Sequence, residues 1–317
     1  MSPLVSVLIP CHNNEAFVGE AIESALGQTY PNIEVIVVDD GSTDKSLQVI
    51  KNYRDQIKWH TGPNRGACAA RNTAFSLSQG EFVQFLDADD ILLPKKIEKQ
   101  MPALLSGVAD VVVCKGTLFG DGRPERPIKK PTPDPAGIDP VEYVLKYPIG
   151  TERPLYRRSF VEKVQGYREG LPRAQDWDFN VRVAAAGARF SLVDEILVRH
   201  RHHDSPTRIT RQKLSADYTI KVCLELSALL EDVPYRLTTK ARRVFAREMN
   251  QLSIYAYRNG CSAIAERGIL EANKWCPDAG VEERWVYTIL NRFLPLIYLE
   301  ILLECARKAR NYIKYAK

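Results

Sequence analysis

Short apolar runs alternate with amphipathic segments over the first part of the chain. The predicted strands lie at 4–10, 33–44, 57–60, 81–87 and 110–114, and the predicted helices between them lie at 16–28, 45–53, 66–78 and 94–105. Regular alternation of strand and helix is typical of βαβ units, whose parallel strands are joined by right-handed crossovers. The pattern therefore predicts an α/β fold with a Rossmann-like, mostly parallel sheet flanked by helices.

The pattern changes after residue 119. The stretch FGDGRPERPIKKPTPDPAGIDP at 119–140 is rich in Pro, Gly and charged residues, which predicts a long loop. The elements predicted after it are a strand and a short helix within 150–167, a helix at 176–187, two short strands within 189–200, and only helices from about 210. We therefore predict an α/β domain at 1–208 and a C-terminal helical region at 209–317.

Length and composition fit this organisation. The chain has 317 residues, 45% of them hydrophobic, which is enough for one large α/β domain with a smaller attachment. The formal net charge of +5 is too small to predict a nucleic-acid partner, so we expect no nucleic acid. Seven cysteines without a CxxC pair predict neither a disulfide framework nor a zinc ribbon. The stretch MSPLVSVLIPCHNN is not typical of a signal peptide, and we expect a cytoplasmic location.

Three groups of acidic residues lie near the ends of predicted elements. They are Asp39 and Asp40, then Asp87, Asp89 and Asp90, and finally Asp176 and Asp178. Ligands of open parallel sheets bind beyond the carboxyl ends of the strands, where these groups are expected to lie. Aspartate is also common after strands and at helix N-caps, because its side chain hydrogen-bonds locally, so one group alone does not define a site.

The acidic group after the strand at 81–87 is the most specific of the three. Only Ala88 separates Asp87 from Asp89, so two carboxylates just beyond a buried strand can share one hard divalent cation. Mn²⁺ or Mg²⁺ held there would neutralise charge on a diphosphate leaving group. The chain has neither a GxGxxG motif nor a P-loop motif, so neither a dinucleotide-binding site nor a P-loop is supported.

Five stretches occur in an order and at a spacing that resemble one family. They are VSVLIPCHNN, IEVIVVDDGSTD, NRGACAARN, FLDADD and QDWDFNVRVAAAG. Together they make about residues 3–205 similar to glycosyltransferase family 2, whose members use nucleotide sugars and have the A-type glycosyltransferase fold. The chain departs from the family pattern at two positions: His12 stands where Tyr is usual, and Gln175 stands where Glu is usual.

The resemblance implies a donor site built from several of these stretches. The residues implied for the nucleotide are Pro10, His12 and Asn13 around the base, Asp40 at the edge of a uracil, and Arg71 near the phosphates. Asp87, Ala88 and Asp89 would form the family's DXD motif at the donor. Asp87 and Asp89 would be the metal-binding pair, with Asp89 as the more direct ligand.

The resemblance also implies a catalytic base. Asp176 would take this role, and Trp177 would form part of the acceptor site. Inverting sugar transfer needs one carboxylate to accept the proton of the attacking hydroxyl and a charge sink for the departing nucleoside diphosphate. The missing charge at Gln175 removes one influence that would raise the pKa of Asp176.

Three of the five histidines lie in the stretch VRHRHHDSPTR at 198–208. No cysteine is near and the spacing matches no zinc pattern, so a zinc cluster is not supported. Family members often have an Arg-X-His stretch here whose His reaches the diphosphate or the metal. Arg201 and His203 match it best, with His202 as the second choice. An exposed basic loop is the alternative interpretation.

The last segment, 285–317, is apolar and then basic. Its longest stretch without a charge, Phe293 to Leu299, is far too short for a membrane-spanning helix. After Glu304 there are Lys and Arg residues but no acidic residue, which suits a helix on the anionic inner face of a membrane. The alternative is packing against the helices at 211–275 or against a second copy of the chain in a homo-oligomer.

These observations lead to one main hypothesis and two alternatives. We expect an inverting glycosyltransferase that moves a sugar from a nucleotide diphosphate sugar, with UDP-sugar as the first choice, to a glycan or lipid-linked acceptor, assisted by Mn²⁺ or Mg²⁺. A non-catalytic nucleotide-sugar or glycan-binding subunit is the second hypothesis, and the presence of Asp89 and Asp176 argues against it. A sugar-nucleotide pyrophosphorylase would need a Gly-rich basic loop after the first strand, and PCHNNEAF is not one.

Overall fold

The computed structural model describes residues 2–120, 122–128, 132–203, 217–231 and 237–279. The Cα positions divide the chain into two compact units, residues 1–212 and 213–317. The elements described in the first unit are, in chain order, β1 (Val5–Cys11), α1 (Val18–Leu26), β2 (Ile33–Asp40), α2 (Ser46–Lys51), β3 (Lys58–Gly62), α3 (Ala67–Leu77), β4 (Phe82–Phe85), β5 (Ile91–Leu92), α4 (Lys96–Leu105), β6 (Val111–Phe119), β7 (Arg126–Pro127), α5 (Pro140–Lys146), β8 (Leu155–Arg157), α6 (Arg158–Lys163), α7 (Gln175–Ala185) and β9 (Phe190–Arg201).

These strands form one sheet in the order β3-β2-β1-β4-β8-β6-β9-β5, with β7 paired to β6. Parallel pairs join β1 to β2 and β4, β2 to β3, and β6 to β9. Each antiparallel pairing covers only two residues of each strand. The predicted α/β fold, with a mostly parallel sheet flanked by helices, is confirmed.

The central strand β1 shows why its sequence is continuously apolar. All its residues are buried, because a strand inside a parallel sheet is covered on both faces. Val7 and Ile9 join an apolar cluster with Ile22 of α1, while Leu8, which points to the opposite face, is equally buried. Burial of each such side chain contributes about 1.5–3 kcal/mol. The result is a rigid platform for the loops at the carboxyl ends of the strands.

The segment 189–200 differs from the prediction. It forms one strand, β9, and not two short strands. The pairing of β9 with β6 shifts register between Cys114 and Gly116, so irregular pairing takes up the extra residues and the strand continues. The two strands inferred from the interrupted apolar pattern were therefore wrong.

Three short elements were not predicted. β7 lies inside the segment 119–140, which was predicted to be a loop, and β5 follows the acidic group at 87–90. The helix α5 begins after Asp139, whose Oδ1 accepts the N–H groups of Val141 and Glu142 at 3.0 Å each. An Asp at the N-cap followed by Pro at the first helical position is a helix-start signal, so α5 was detectable in the sequence.

The second unit is helical where it is described. Its helices are α8 (Tyr218–Glu231), α9 (Thr239–Arg258) and α10 (Ser262–Trp275). The indole of Trp275 packs edge-on against Phe245 of α9 and donates its N–H to Ser227 of α8 at 2.6 Å. Within the described ranges, no helix combines the length and apolar character needed to cross a membrane. The predicted boundary near 208 and the segment 285–317 lie outside the described residues, so both stay predictions.

Candidate active site

The loops after β1 and β2 are joined at one edge of the sheet. Pro10 of β1 pairs with Val38 of β2, which places the two strand ends side by side. Beyond them, the N–H of Asn13 donates to Ser42 Oγ at 3.0 Å, and Asn13 Oδ1 accepts the N–H of Thr43 at 2.8 Å. Asn13 has a φ of 52°, a left-handed conformation that Asn adopts more readily than most residues.

His12 and Asp40 are in contact at the same edge. The Nδ1 atom of His12 lies 2.9 Å from the main-chain oxygen of Asp40, and its Nε2 atom lies 3.1 Å from Asn64 Nδ2. The carboxylate of Asp40 accepts the N–H groups of Arg65 and Gly66, each at 2.8 Å. Asp40 therefore fixes the turn into α3, and the residues predicted to surround the nucleotide base are gathered along one edge.

Arg71 of α3 links the DXD motif to the start of α7. Its side chain is almost completely buried; Nη2 donates to Asp87 Oδ1 and Nη1 donates to Gln175 Oε1, each at 2.7 Å. The guanidinium also lies over the ring of Tyr167, 5.0 Å from its centroid. Burial opposes the charge, but the Asp87 carboxylate outweighs this effect and raises the pKa of Arg71. The residue is therefore a permanent cation inside the site.

Asp176 lies in the first turn of α7 and is partly exposed. Its Oδ1 atom accepts the O–H of Thr151 at 2.6 Å. Burial raises the pKa of Asp176 to about 6, and the charge of Asp87 acts in the same direction, whereas Arg71 and the Thr151 hydrogen bond act to lower it. A carboxyl group with a pKa near the working pH is suited to general-base catalysis. The next residue, Trp177, is also partly exposed.

Asp178, two residues further on, has a different environment. Its side chain is 1% exposed, with Oδ1 2.7 Å from Arg168 Nη2 and Oδ2 2.9 Å from Arg182 Nη2. Arg182 also donates to the main-chain oxygens of Val164 and Gly166. Asp178 therefore ties α7 to the segment after α6, and its buried, doubly paired carboxylate is not placed to serve as a base.

Asp89 and Asp90 each contact a histidine, His203 just after β9 and His200 near its end. Asp89 Oδ2 lies 2.9 Å from His203 Nε2, and Asp90 Oδ2 lies 2.9 Å from His200 Nδ1. Asp90 Oδ1 also accepts the N–H of Arg201 at 2.7 Å. Burial opposes ionisation of Asp89, but the hydrogen bond with His203 outweighs it and lowers the pKa of Asp89. The loop after β4 and the end of β9 are therefore joined by two acid–histidine pairs.

Two sets of side chains have the chemistry of a metal site. The first is Asp90, Glu152 and His200, whose ligand atoms lie within 4.8 Å of one another. The second is the Asp89–His203 pair, a carboxylate and an imidazole that are hydrogen-bonded to each other at 2.9 Å. Carboxylate oxygens are the ligands that Mg²⁺ and Mn²⁺ prefer.

The first set is already engaged within the protein. Asp90 and Glu152 are almost fully buried, and both Asp90 oxygens have the partners given above. Burial opposes a charge on His200, but the Asp90 carboxylate outweighs it and raises the pKa of His200 to about 10. Burial also raises the pKa of Asp90, although His200 acts to lower it, so this buried acid–histidine pair holds a proton at neutral pH. Ala88, within the DXD motif, is buried in the apolar core and fixes the motif's backbone.

Arg201 contacts α1 as well as the DXD loop. Its guanidinium stacks on the rings of Phe17 and Phe119, at 4.7 and 4.4 Å from their centroids, and Nη2 lies 2.8 Å from Glu20 Oε2. Its Nε atom donates to the main-chain oxygen of Asp89 at 2.9 Å. The structure brings Arg201 to the edge of the predicted donor site, with its charge balanced by Glu20.

Two polar residues of the site were not predicted. Thr151 and Glu152 lie in the stretch GTERP between α5 and β8, and both are buried. Thr151 contacts Asp176, and Glu152 belongs to the group around Asp90. Neither residue follows an apolar strand or belongs to a motif quoted above, so the only signal was a run of polar residues at the start of the stretch 150–167.

Comparisons with known proteins agree with this architecture. The sequence model of the family "Glycosyl transferase family 2" matches residues 6–165. The chain is 31% identical over 240 residues to an uncharacterized glycosyltransferase of Methanocaldococcus jannaschii, MJ1057, a match covering 69% of this chain and 79% of that protein. It is 43% identical over 107 residues to an uncharacterized glycosyltransferase of Haemophilus influenzae, covering 32% of this chain and 43% of that protein.

Solved structures with the same fold include two complexes with nucleotide sugars. S. aureus TarS 1-349 in complex with UDP-GlcNAc superposes with a TM-score of 0.69 at 21% identity, covering 96% of this chain and 92% of that one. The mannosyltransferase PcManGT from Pyrobaculum calidifontis, in complex with GDP-Man and Mn²⁺, gives a TM-score of 0.55 at 17% identity, covering 99% and 83%. At these identities the likeness concerns the fold, and the A-type glycosyltransferase fold is confirmed.

The family match and the M. jannaschii relative identify the chain. It belongs to glycosyltransferase family 2 and is a glycosyltransferase enzyme. The resemblance drawn from the five sequence stretches is therefore confirmed.

The buried carboxylate of Asp178 generates a stability prediction. We expect Asp178→Asn to lower the free energy of unfolding by about 3–5 kcal/mol, because two arginines lose their buried counter-charge. Asp176→Asn is the matched control, and we expect it to leave stability unchanged or higher, because burial disfavours the ionised form of that carboxyl. Denaturant unfolding followed by circular dichroism measures both. Equal stability of the Asp178 variant and the unaltered protein would contradict the assigned structural role.

Proposed function

We propose that this enzyme transfers a sugar with inversion, in one displacement, from a nucleoside diphosphate sugar to a hydroxyl acceptor. The proposal rests chiefly on one observation: buried Arg71 joins Asp87 of the DXD motif to Gln175, the neighbour of Asp176. This link supports a single site in which the proposed donor-binding motif lies near a proposed base of raised pKa. Both are needed where a leaving diphosphate departs as a hydroxyl attacks.

The donor proposed here is a UDP-sugar. The support is the resemblance of His12, Asn13 and Asp40 to the family's base pocket, together with the TarS complexes with UDP and UDP-GlcNAc. The fold is shared with PcManGT, whose complex contains GDP-Man, so a guanine nucleotide is the principal competitor. In our proposal the partly exposed ring of His12 packs beside the base, in the position where the family usually has Tyr.

A divalent cation, Mn²⁺ or Mg²⁺, is the proposed cofactor. Asp89 and His203 would hold it, with Asp87 as a further ligand, and the donor set fits such an ion. When bound, the ion would neutralise negative charge on the diphosphate leaving group. Support comes from the contact that brings the Asp89 carboxylate and the His203 imidazole together, and from the Mn²⁺ in the PcManGT complex.

Asp176 is the proposed general base. It accepts the proton of the acceptor hydroxyl while that oxygen forms a bond to the anomeric carbon. The bond from the anomeric carbon to the diphosphate oxygen breaks, and its electron pair leaves with the nucleoside diphosphate. One carboxylate suffices, because inversion in one step needs no covalent intermediate on the enzyme. Trp177, partly exposed beside the base, is proposed to contact the acceptor.

The acceptor proposed here is a glycan or a lipid-linked glycan. A lipid-linked acceptor would bring the enzyme to the inner face of a membrane, and membrane contact is one of the two alternatives for the segment 285–317. That segment and the predicted homo-oligomer lie beyond what the described residues address, and they stay predictions.

Asp176→Asn tests the base. We expect UDP release from UDP-GlcNAc to fall about 10²–10⁴-fold, because the amide cannot accept the proton, while UDP binding is kept. Asp55→Asn is the control, since the Asp55 side chain is 90% exposed and its ion pair is with the adjacent Arg54. Fixed-time assays measure the rate of UDP release, and calorimetry measures the affinity for UDP. Turnover of the Asn variant at the unaltered rate would refute Asp176 as the base.

Asp89→Ala tests the metal site without relying on turnover. We expect Mn²⁺ binding in the presence of UDP to weaken at least about tenfold, because a direct carboxylate ligand is lost. The electron paramagnetic resonance signal of free Mn²⁺ reports the bound fraction, with Asp55→Ala as the control. Equal Mn²⁺ affinity of the Asp89 and Asp55 variants would remove Asp89 from the proposed ligands.

A further inference from the structure

The segment 150–153, which contains Thr151, is held by buried polar contacts on several sides. Its main-chain oxygens at Glu152 and Arg153 accept N–H groups from Gln84 of β4 and Gln100 of α4, each at 3.0 Å. The guanidinium of Arg153 donates back to the main-chain oxygen of Cys114 in β6 at 2.9 Å. Such contacts from three elements fix the backbone of the segment far more firmly than an ordinary surface loop.

The two middle side chains of this segment serve opposite sides of the active site. Thr151 Oγ1 donates to Asp176 Oδ1 at 2.6 Å. Glu152, next along the chain, faces Asp90 and His200, which tie the end of β9 to the loop after β4. Because one rigid segment contacts both groups, it sets the position of the proposed base relative to the proposed donor site.

We propose that Thr151 is a positioning residue for the transfer reaction. Its hydroxyl holds Oδ1 of Asp176, so that Oδ2 is the oxygen presented to the acceptor hydroxyl. The carboxylate, which can otherwise rotate about its side-chain bonds, is thereby kept in one orientation. This inference rests on the proposed function, since it takes Asp176 as the base.

The charged surroundings of Asp176 give the proposal a pH signature. The groups that face it are Cys68 and Arg71 of α3, Asp87 after β4, Glu152 in the supporting segment, Tyr156 of β8, and Tyr167 after α6. The Thr151 hydrogen bond favours the ionised carboxylate and so lowers the pKa of Asp176. Loss of that bond raises the pKa, and the acidic limb of the rate profile must move to higher pH.

The test compares Thr151→Val, Thr151→Ser and Asp176→Asn in the full-length protein. UDP release from UDP-GlcNAc with Mn²⁺ is followed between pH 5 and pH 8. For Thr151→Val we expect kcat to fall about 10- to 100-fold with KM little changed, and the acidic limb to shift upward by about one pH unit. Thr151→Ser keeps the hydroxyl. We expect this variant to retain most of the rate, with the acidic limb of its pH profile at the same pH as in the unaltered protein. Thr73→Val, where the hydroxyl donates to the main-chain oxygen of Ala69 in its own helix, is the control for a generic Thr→Val change.

A crystal structure of the Thr151→Val protein supplies a readout independent of turnover. We expect the Asp176 carboxylate to leave its present orientation while the main chain at 150–153 stays in place. The positioning role would be overturned if the Asp176 carboxylate of the Thr151→Val protein has not moved. It would also be overturned if kcat and the acidic limb of the pH profile are unchanged in that variant, even if Asp176→Asn is inactive. An active Asp176→Asn protein would instead overturn the base assignment, and the two failures are therefore distinguishable. Failure of Ser to rescue would show that the hydroxyl is not the operative group.

Discussion

A single buried cation, Arg71, determines how the active site is assembled. Removing a guanidinium from water costs several kcal/mol unless charges and hydrogen-bond acceptors replace its hydration. Arg71 is only 3% exposed, and its partners come from two segments distant in sequence, Asp87 after β4 and Gln175 at the start of α7. Satisfying this one side chain therefore requires the DXD loop and the N-terminus of α7 to lie together.

The amide at Gln175 also affects the electrostatics of the site. Gln175 carries no charge, so Arg71 is hydrogen-bonded to one amide and to the carboxylate of Asp87. The charge of Arg71 also lowers the pKa of Asp176. Burial and Asp87 raise the pKa of Asp176, while Arg71 and Thr151 limit the rise to a value of about 6. A carboxyl group in this range is largely ionised at neutral pH and remains basic enough to accept a proton. Gln at position 175, where the family usually has Glu, is therefore compatible with catalysis by Asp176.

Most of the fold could be predicted from sequence because buried parallel strands are continuously apolar. The parts that could not be predicted depend on partners elsewhere in the chain. β5 has two residues and exists by pairing with β9, and β9 continues past its polar residues because its pairing with β6 is irregular. The site residues likewise fall into those that sequence predicts and those that it does not. His12, Asp40 and Asp89 follow strands, so topology places them, whereas Thr151 reaches Asp176 only through tertiary contacts of its segment.

Calorimetric titration of UDP, GDP, dTDP and CDP into the 317-residue protein, with and without Mn²⁺, is the most direct test of the central claim. The account predicts that UDP binds most tightly of the four nucleotides and that its binding requires the metal. If GDP binds most tightly and also requires the metal, the proposed donor becomes a GDP-sugar and the proposed site is unchanged. Absence of binding by all four nucleotides in the presence of Mn²⁺ would contradict the account, because the carboxylates after β4 would then be only a solvated strand end.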